Sequence, residues 1–171
     1  MILVLDVHYL DNSAQAVAAG ILFEQFSSEK SHKEIVKIVD NIQPYTPGEF
    51  YKRELPCLLA IIESIEEKID YILVDGYVTL SENRMGLGGH LFEKIPKKIP
   101  VIGIAKNKFH DSNALELNRG ESNKPLWITS IGIDNKLAAQ YISEMFGDFR
   151  IPYMLKKVDS LCRNYIIDKE I

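Results

Sequence analysis

The order of the predicted elements indicates an α/β fold in which a mixed β-sheet is flanked by helices. Three strand-like segments come first, a segment with helical periodicity follows, and short apolar runs then alternate with further helical segments. The chain has 171 residues, 46% hydrophobic and 26% charged, which excludes a disordered composition and is typical of one packed domain. We therefore expect residues 1–171 to form a single domain.

The N-terminal third is predicted to be an antiparallel meander. Its strand-like segments run from Ile2 to Tyr9, from Ala18 to Phe26 and from Glu34 to Ile42, with polar turns between them. From Pro47 to about Lys68 the apolar residues recur at steps of three and four, which predicts one amphipathic helix. Pro56 lies within it and is expected to distort the helix without ending it.

The remaining elements are predicted from short apolar runs and their flanking residues. The run from Asp70 to Gly76 predicts a central strand, and a glycine-rich stretch leads into a short helix that ends near Ile95. Strands at Pro100–Ala105 and Leu126–Ile133 and helices near 134–147 and 152–167 complete the chain. This order is that of ribonuclease H-like nucleases, but many α/β domains share it, so the function must come from particular side chains.

Composition excludes several classes of protein. No apolar run approaches the roughly 18–20 residues of a membrane span, and no basic n-region precedes the first strand, so we expect a cytoplasmic protein without a membrane partner. The two cysteines are far apart, which predicts buried or bystander thiols and neither a disulfide framework nor a thiolate zinc site. The net charge of −4 argues against nucleic-acid coating by bulk charge, although residues 83–108 carry six basic residues and one acidic residue, or +5.

Three acids interrupt apolar patterns: Asp6, Glu54 and Asp75. Buried carboxylates cost several kcal/mol unless they are paired or bind a metal, so three of them need a common explanation. Hard oxygen ligands suit Mg²⁺ or Mn²⁺, and such a site indicates phosphodiester hydrolysis. The alternative is that the two aspartates cap strand ends and that Glu54 pairs at the surface with Arg53 or Lys52.

Four stretches resemble the endonuclease V family, nucleases that nick DNA or RNA near deaminated bases, especially inosine. Its most specific motif is Tyr-x-Pro-Gly followed by Arg-Glu-x-Pro, and the likeness runs in one order from about Leu3 to Asp159. We expect a divergent and shortened member of this family, with a role in nucleic-acid repair. The four stretches are Leu5–Tyr9, Pro44–Pro56, Leu73–His90 and Pro100–Lys106.

The resemblance implies a role for each matched residue. Asp6, Glu54 and Asp75 would bind the catalytic Mg²⁺, with Mn²⁺ as a possible substitute, and Lys106 would complete the catalytic set near the scissile phosphate. The implied contacts to a DNA or RNA substrate are a wedge of Tyr45, Pro47 and Gly48, and a base pocket of Arg84, Gly86, Gly88, Gly89 and His90. We expect His90 to be a packing residue or a wall of this pocket. His8 is expected to face the side of the strand opposite Asp6 and to have a structural role.

Departures from the family pattern leave two alternatives open. Ser81-Glu82-Asn83 stands before Arg84 where the family has His-Pro-Arg, and no Gly-His follows the last strand. The chain is therefore also read as a catalytically impaired nucleic-acid-binding module, or as a nuclease with a changed substrate. Near the C-terminus, Asp159 is expected either close to the active site or exposed on a helix.

Overall fold

The computed structural model describes residues 1–11 and 13–167. Within this part of the chain seven strands form one mixed sheet, and a separate hairpin pairs two short strands. The strands are β1 Ile2–Tyr9, β2 Ala16–Phe23, β3 Lys33–Val39, β4 Tyr71–Asp75, β5 Thr79–Ser81, β6 Arg84–Met85, β7 Val101–Ala105, β8 Leu115–Leu117 and β9 Leu126–Ile131. In the sheet the order is β3-β2-β1-β4-β7-β9-β8, and β5 pairs with β6.

Four helices in the described residues cover the two faces of the sheet. Two of them contribute apolar side chains to the cluster on one face, and the other two contribute to the cluster on the opposite face. The first pair is α1 Tyr51–Ile62 and α2 Leu87–Lys94, and the second pair is α3 Asn135–Ser143 and α4 Tyr153–Ile167. A mixed sheet flanked by helices is therefore confirmed.

Strand alternation divides the side chains of β1 between the two faces. Ile2 and Val4 belong to the cluster under α3 and α4, whereas Leu3 and Leu5 belong to the cluster under α1 and α2. Because successive side chains in a strand point to opposite faces, the next even-numbered position, Asp6, continues the row on the α4 side. The acid thus lies where the apolar row of that face ends.

The pairing of the strands explains why one edge of the sheet collects polar residues. The meander is confirmed, since β1–β2 and β2–β3 are antiparallel. In contrast, β1–β4 and β4–β7 are parallel, so the carboxyl ends of β1, β4 and β7 meet at the same edge. The hairpin β5–β6 and the edge strand β8 were not predicted, because strands of two or three residues carry almost no periodic signal.

The first helix is shorter than its periodicity predicted. Gly48 has φ +79°, a left-handed conformation that turns the chain before α1 begins at Tyr51. At the other end, Ser64 Oγ donates a 2.7 Å hydrogen bond to the carbonyl of Ile61 and satisfies one acceptor of the last turn. Pro56 lies inside the helix without ending it, as expected.

The two cysteines are buried and free, as predicted. Cys57 Sγ donates to the carbonyl of Arg53, and Cys162 Sγ donates to that of Val158, so each thiol is satisfied within its own helix. Across residues 1–11 and 13–167, no helix has both the length and the apolar character that a bilayer crossing needs.

Candidate active site at the carboxyl edge of the sheet

Parallel pairing places three of the predicted residues side by side. Asp6 lies in β1, Asp75 is the last residue of β4, and Lys106 follows the last residue of β7. The register pairs Leu5 with Val74 and Asp75 with Ile104, so these chain positions reach the edge at nearly the same height. The edge between β1 and β7 therefore carries two carboxylates and one ammonium.

Two helices bring further carboxylates to this edge from opposite faces. Glu54 in α1 is only 6% exposed, and Asp159 projects from α4. Together with the strand residues they line an open cleft of about 450 Å³. The structure thus brings the three predicted acids and Lys106 together and adds Asp159 as a fourth acid, one of the two positions expected for it. The remaining lining residues are Val7, His8, Tyr9, Phe50 and Arg163.

The first two acids of the cluster hold their protons unusually strongly. Burial raises the pKa of Asp6 to about 7, with added repulsion from Asp75 and Asp159, although the Val7 N–H donates to Oδ1 at 2.9 Å and opposes the rise. Burial, followed by repulsion from Asp6 and Asp75, raises the pKa of Glu54 to about 8. The surrounding protein therefore does not offset the burial of these carboxylates and the repulsion among the four acids.

Glu54 does not form the surface ion pair that was considered as an alternative. Lys52 Nζ pairs with Glu49 Oε1 at 2.7 Å, and the guanidinium of Arg53 lies over the ring of Tyr9, 4.1 Å from its centroid. One carboxyl oxygen of Glu54, Oε2, is buried without a hydrogen-bond partner. Such an orphaned acceptor is costly in a protein interior and indicates a group that serves function more than stability.

Lys106 contacts the cluster directly. Its Nζ lies 2.7 Å from Oδ2 of Asp75. Burial lowers the pKa of the ammonium, but the hydrogen bond and charge of Asp75, together with Asp6 and Asp159, outweigh it and raise the pKa above the usual value. Within the described residues no three Asp, Glu, His or Cys side chains are grouped closely enough to hold a metal ion as they stand. One oxygen of Asp75 is engaged by Lys106 instead.

The predicted wedge lies just before α1, beside the cleft. Tyr45 is 58% exposed, and its ring meets the ring of Phe50 edge-on with centroids 6.5 Å apart. Phe50 in turn lines the cleft. Pro47 and Gly48 are exposed in the same turn, and a Cβ added at Gly48 would lie 3.7 Å from Nη2 of Arg84. The structure therefore brings Arg84 close to the wedge residues.

The glycines assigned to a base pocket do not line the cleft. Gly86, Gly88 and Gly89 are buried where α2 packs against the chain after β4, and an added Cβ would come within 2.3, 2.7 and 2.6 Å of atoms of Tyr77 or Val78. This close approach accounts for all three. His90 stacks on Tyr51 with centroids 3.6 Å apart, which agrees with a packing role.

His8 lies where sequence reasoning did not place it. It lines the same cleft as Asp6, because residues two apart in a strand project from the same face. The expectation of a purely structural residue overlooked this periodicity, which was itself the available signal. The cleft therefore contains a histidine, although not one at a family motif position.

The basic stretch of residues 83–108 does not form one patch. Lys106 lies in the cleft, and the guanidinium of Arg84 lies 6.0 Å from the ring centroid of Phe109. Lys97 and Lys98 instead line a groove that also contains Asp70, which precedes β4 and so lies at the far end of the sheet. Only part of the local positive charge is thus available at the acidic edge.

A family model described as Endonuclease V matches residues 1–140 of the chain. The chain belongs to the endonuclease V family. Its relatives include endonuclease V of Streptomyces avermitilis, 28% identical over 92% of this chain and 77% of that protein, and that of Rhodospirillum centenum, 31% identical over 83% and 67%. A third relative, endonuclease V of Streptomyces coelicolor, is 28% identical over 73% of this chain, and the matched region covers 62% of that protein's length. Family membership places the chain among nucleases, which are hydrolases.

Solved structures of endonuclease V share the fold. The Streptomyces avermitilis enzyme has a TM-score of 0.79 at 24% identity, with 99% of this chain and 82% of that chain covered. Endonuclease V of Ciona intestinalis, crystallised with a 24mer DNA that contains an inosine followed by a ribo-adenosine, has a TM-score of 0.82 at 17% identity, covering 98% and 85%. The ribonuclease H-like fold predicted from the element order is confirmed.

Proposed function

We propose that the chain is a divalent-metal-dependent endonuclease that hydrolyses a phosphodiester bond near a deaminated base, especially inosine, in DNA or RNA. The observation that carries the proposal is the convergence of Asp6, Glu54, Asp75 and Asp159 with Lys106 at one edge of the sheet. Four acids in one cleft are unfavourable for folding, so their common purpose lies in binding a cation. The inosine-containing DNA in the Ciona structure supports deaminated bases as the substrate class.

The donor chemistry of these side chains suits a hard divalent cation. The pKa values of Asp6 and Glu54 are raised well above their ordinary values, and Glu54 Oε2 is a buried acceptor without a partner. A bound cation would offset the repulsion between the carboxylates and give Oε2 a partner. Carboxylate oxygens are the ligands that Mg²⁺ prefers, and Mn²⁺ accepts the same set. We assign Asp6, Glu54 and Asp75 as the metal ligands.

The chain's own residues would divide the remaining work. When bound, Mg²⁺ would supply a water of lowered pKa and neutralise charge that develops on the phosphate. The ammonium of Lys106 is a compact charge, and it can leave Asp75 and pair with a phosphate oxygen of the substrate. Tyr45, exposed beside the cleft, presents a ring that can replace the stacking of a displaced base. Residues 1–171 would act as one domain.

A second candidate is a nucleic-acid-binding module of the same fold that no longer turns over. It is favoured by the 2.7 Å pair between Lys106 and Asp75, which engages one proposed ligand, and by Ser81-Glu82-Asn83 standing before Arg84 in place of the family's His-Pro-Arg. Such a module would bind nucleic acid and leave it intact.

A nicking assay separates the candidates. The unsubstituted chain is incubated with Mg²⁺ or Mn²⁺ and with matched inosine-containing and plain strands of DNA and RNA, beside Asp75→Asn and the control Asp70→Asn. We expect inosine-dependent nicking that only Asp75→Asn abolishes. Binding without nicking under both metals would favour the module, and equal cleavage of plain strands would show a changed substrate.

A further inference from the structure

A second cavity opens beside the same acids on the α4 side of the sheet. It measures about 490 Å³, within the usual range of about 300–1,000 Å³ for ligand pockets. It shares Asp6, Asp75, Lys106 and Asp159 with the cleft, and its other walls are largely apolar. The apolar lining consists of Val4, Leu5, Phe149, Ile151, Leu155 and Val158.

Phe149 lines this cavity with an unusually open ring. The side chain is 76% exposed, more than any other large hydrophobic side chain in the described residues. Phe146, three residues earlier, packs edge-on against Tyr153 with centroids 5.6 Å apart and does not line the cavity. Single exposed aromatics are ordinary, but this ring adjoins an apolar cavity whose other side is acidic.

Two arginines fix the position of Phe149. Buried Arg119 donates hydrogen bonds of 2.6 Å to the carbonyls of Phe149 and Met145, and one of 3.0 Å to that of Gly147. Arg150 donates to the carbonyls of Lys106, Lys124 and Pro125. Since Arg150 adjoins Phe149 and contacts the backbone of Lys106, the backbone that carries the exposed ring is held at a set position relative to the acidic edge.

The charges around the cavity suit a phosphate group as well as a ring. Lys156 lines the cavity, is exposed, and forms no ion pair with a described residue. Lys106 contributes a second ammonium at the border with the cleft. Glu121 is the one exposed acid of the lining, whereas the shared aspartates are half-buried. A planar apolar group attached to a phosphate matches this arrangement of ring, cavity and lysine.

We infer that this cavity is a nucleobase subsite, which accepts the base of a nucleotide next to the scissile phosphate. The base stacks on Phe149, and Lys156 contacts the adjoining phosphate. The inference rests on the proposed function, because it takes the shared acidic edge as the site of cleavage. It places a stacking residue on the α4 side of that edge, whereas Tyr45 stands on the α1 side.

The test pairs protein variants with substrates that lack one base. Binding of short labelled inosine-containing strands is measured in Ca²⁺, with a single abasic residue moved along the positions around the inosine. The variants are Phe149→Ala, Phe149→Trp, Lys156→Ala and the control Phe146→Ala. Lys156→Ala should weaken the binding of every strand by a similar factor, because the phosphate that it contacts is present in all of them. We expect Phe149→Ala to weaken binding about 5- to 30-fold. When the missing base is the one that stacks on Phe149, next to the cleavage point, the abasic strand should bind wild type and Phe149→Ala equally.

The remaining variants distinguish stacking from a general effect on the fold. Phe149→Trp should restore binding and its dependence on that one base, while Phe146→Ala should match the unsubstituted chain. The inference is overturned if Phe149→Ala binds as tightly as wild type, or if its loss is the same for every abasic strand. Absence of nucleic-acid binding by wild type overturns it together with the proposed function. If Phe149→Ala shows the base-specific loss of binding but the wild type cleaves no strand, the inference holds and only the proposed hydrolysis is refuted.

Discussion

Acidic residues at the two ends of the sheet differ in almost every physical respect. At the amino end, Asp70 is 43% exposed and pairs with the N-terminal ammonium at 2.6 Å and with Lys68 at 3.1 Å. These hydrogen bonds hold the pKa of Asp70 below its ordinary value. At the carboxyl end, Glu54 is buried and Asp6 half-buried among other acids, and the pKa values of Asp6 and Glu54 rise to about 7 and about 8.

The difference teaches which charges serve the fold and which serve a ligand. Asp70 has both its partners within the chain and needs nothing more. Glu54 retains an unpaired buried oxygen, and Asp6 faces two further acids. Strained electrostatics of this kind concentrate at functional sites, where a substrate or ion supplies the missing partner.

Neutralising one acid of the cluster should have the largest effect. Asp6→Asn keeps the shape of the side chain and the acceptor for the Val7 N–H but removes a proposed ligand charge. We expect cleavage of inosine-containing strands to fall about 10³-fold or more, because the bound metal supplies several kcal/mol of transition-state stabilisation. Single-turnover nicking rates measure this, with Asp70→Asn as the matched control at the other end. Equal rates for Asp6→Asn and wild type would contradict the claim that the acids at the carboxyl end, unlike Asp70, serve catalysis.

The two lysines that pair with aspartates provide the next comparison. Lys106 pairs with Asp75 at the acidic edge, and Lys68 pairs with Asp70 at the far end. Lys106→Ala should lower the cleavage rate about 10²-fold, since it removes a charge near the reacting phosphate. Lys68→Ala should leave the rate unchanged. A similar loss in both variants would show that the effect comes from stability and not from the site.

The contrast also separates what the sequence predicts from what it does not. Asp6, Glu54 and Asp75 are visible because each interrupts an apolar pattern, whereas Lys106 is predicted only through the resemblance to the family. Asp159 carries no such signal, since an acid on an amphipathic helix is usually solvated, and only the packing of α4 brings it to the edge. The role of Gly86, Gly88 and Gly89 in close packing depends on contacts with Tyr77 and Val78 that no local pattern encodes.

Stability should depend on pH through the crowded acids. Folded Asp6 and Glu54 keep protons to about pH 7 and 8, whereas the unfolded chain releases them near their ordinary pKa values of 3.8 and 4.5. The folded state therefore binds more protons across this window, so the free energy of unfolding should fall as pH rises from about 4 to about 8.

Urea unfolding of the metal-free protein at several pH values measures this dependence. Glu54→Gln should flatten it, because the amide does not titrate, and Asp70→Asn should leave its slope between about pH 5 and 8 unchanged. A wild-type free energy of unfolding that rises steadily across the same window would contradict the assignment of raised pKa values to the cluster.

The smallest effect is expected at the amino end itself. Asp70→Asn removes two exposed ion pairs and should lower the free energy of unfolding at neutral pH by less than about 1 kcal/mol. Because salt screens exposed charges, the difference between variant and wild type should shrink further at high ionic strength. Denaturation in low and high salt checks both points, and a salt-independent loss of several kcal/mol would show that Asp70 is not a surface pair.

Calorimetric titration of Mn²⁺ into the wild type, Asp6→Asn and Asp70→Asn most directly tests the claim that the carboxyl edge is a cation site. Wild type and Asp70→Asn should bind the ion with equal affinity, and proton release should accompany binding near pH 7, where Asp6 and Glu54 are partly protonated. Asp6→Asn should bind it far more weakly. Equal binding by all three proteins, or no binding by wild type, would contradict the account.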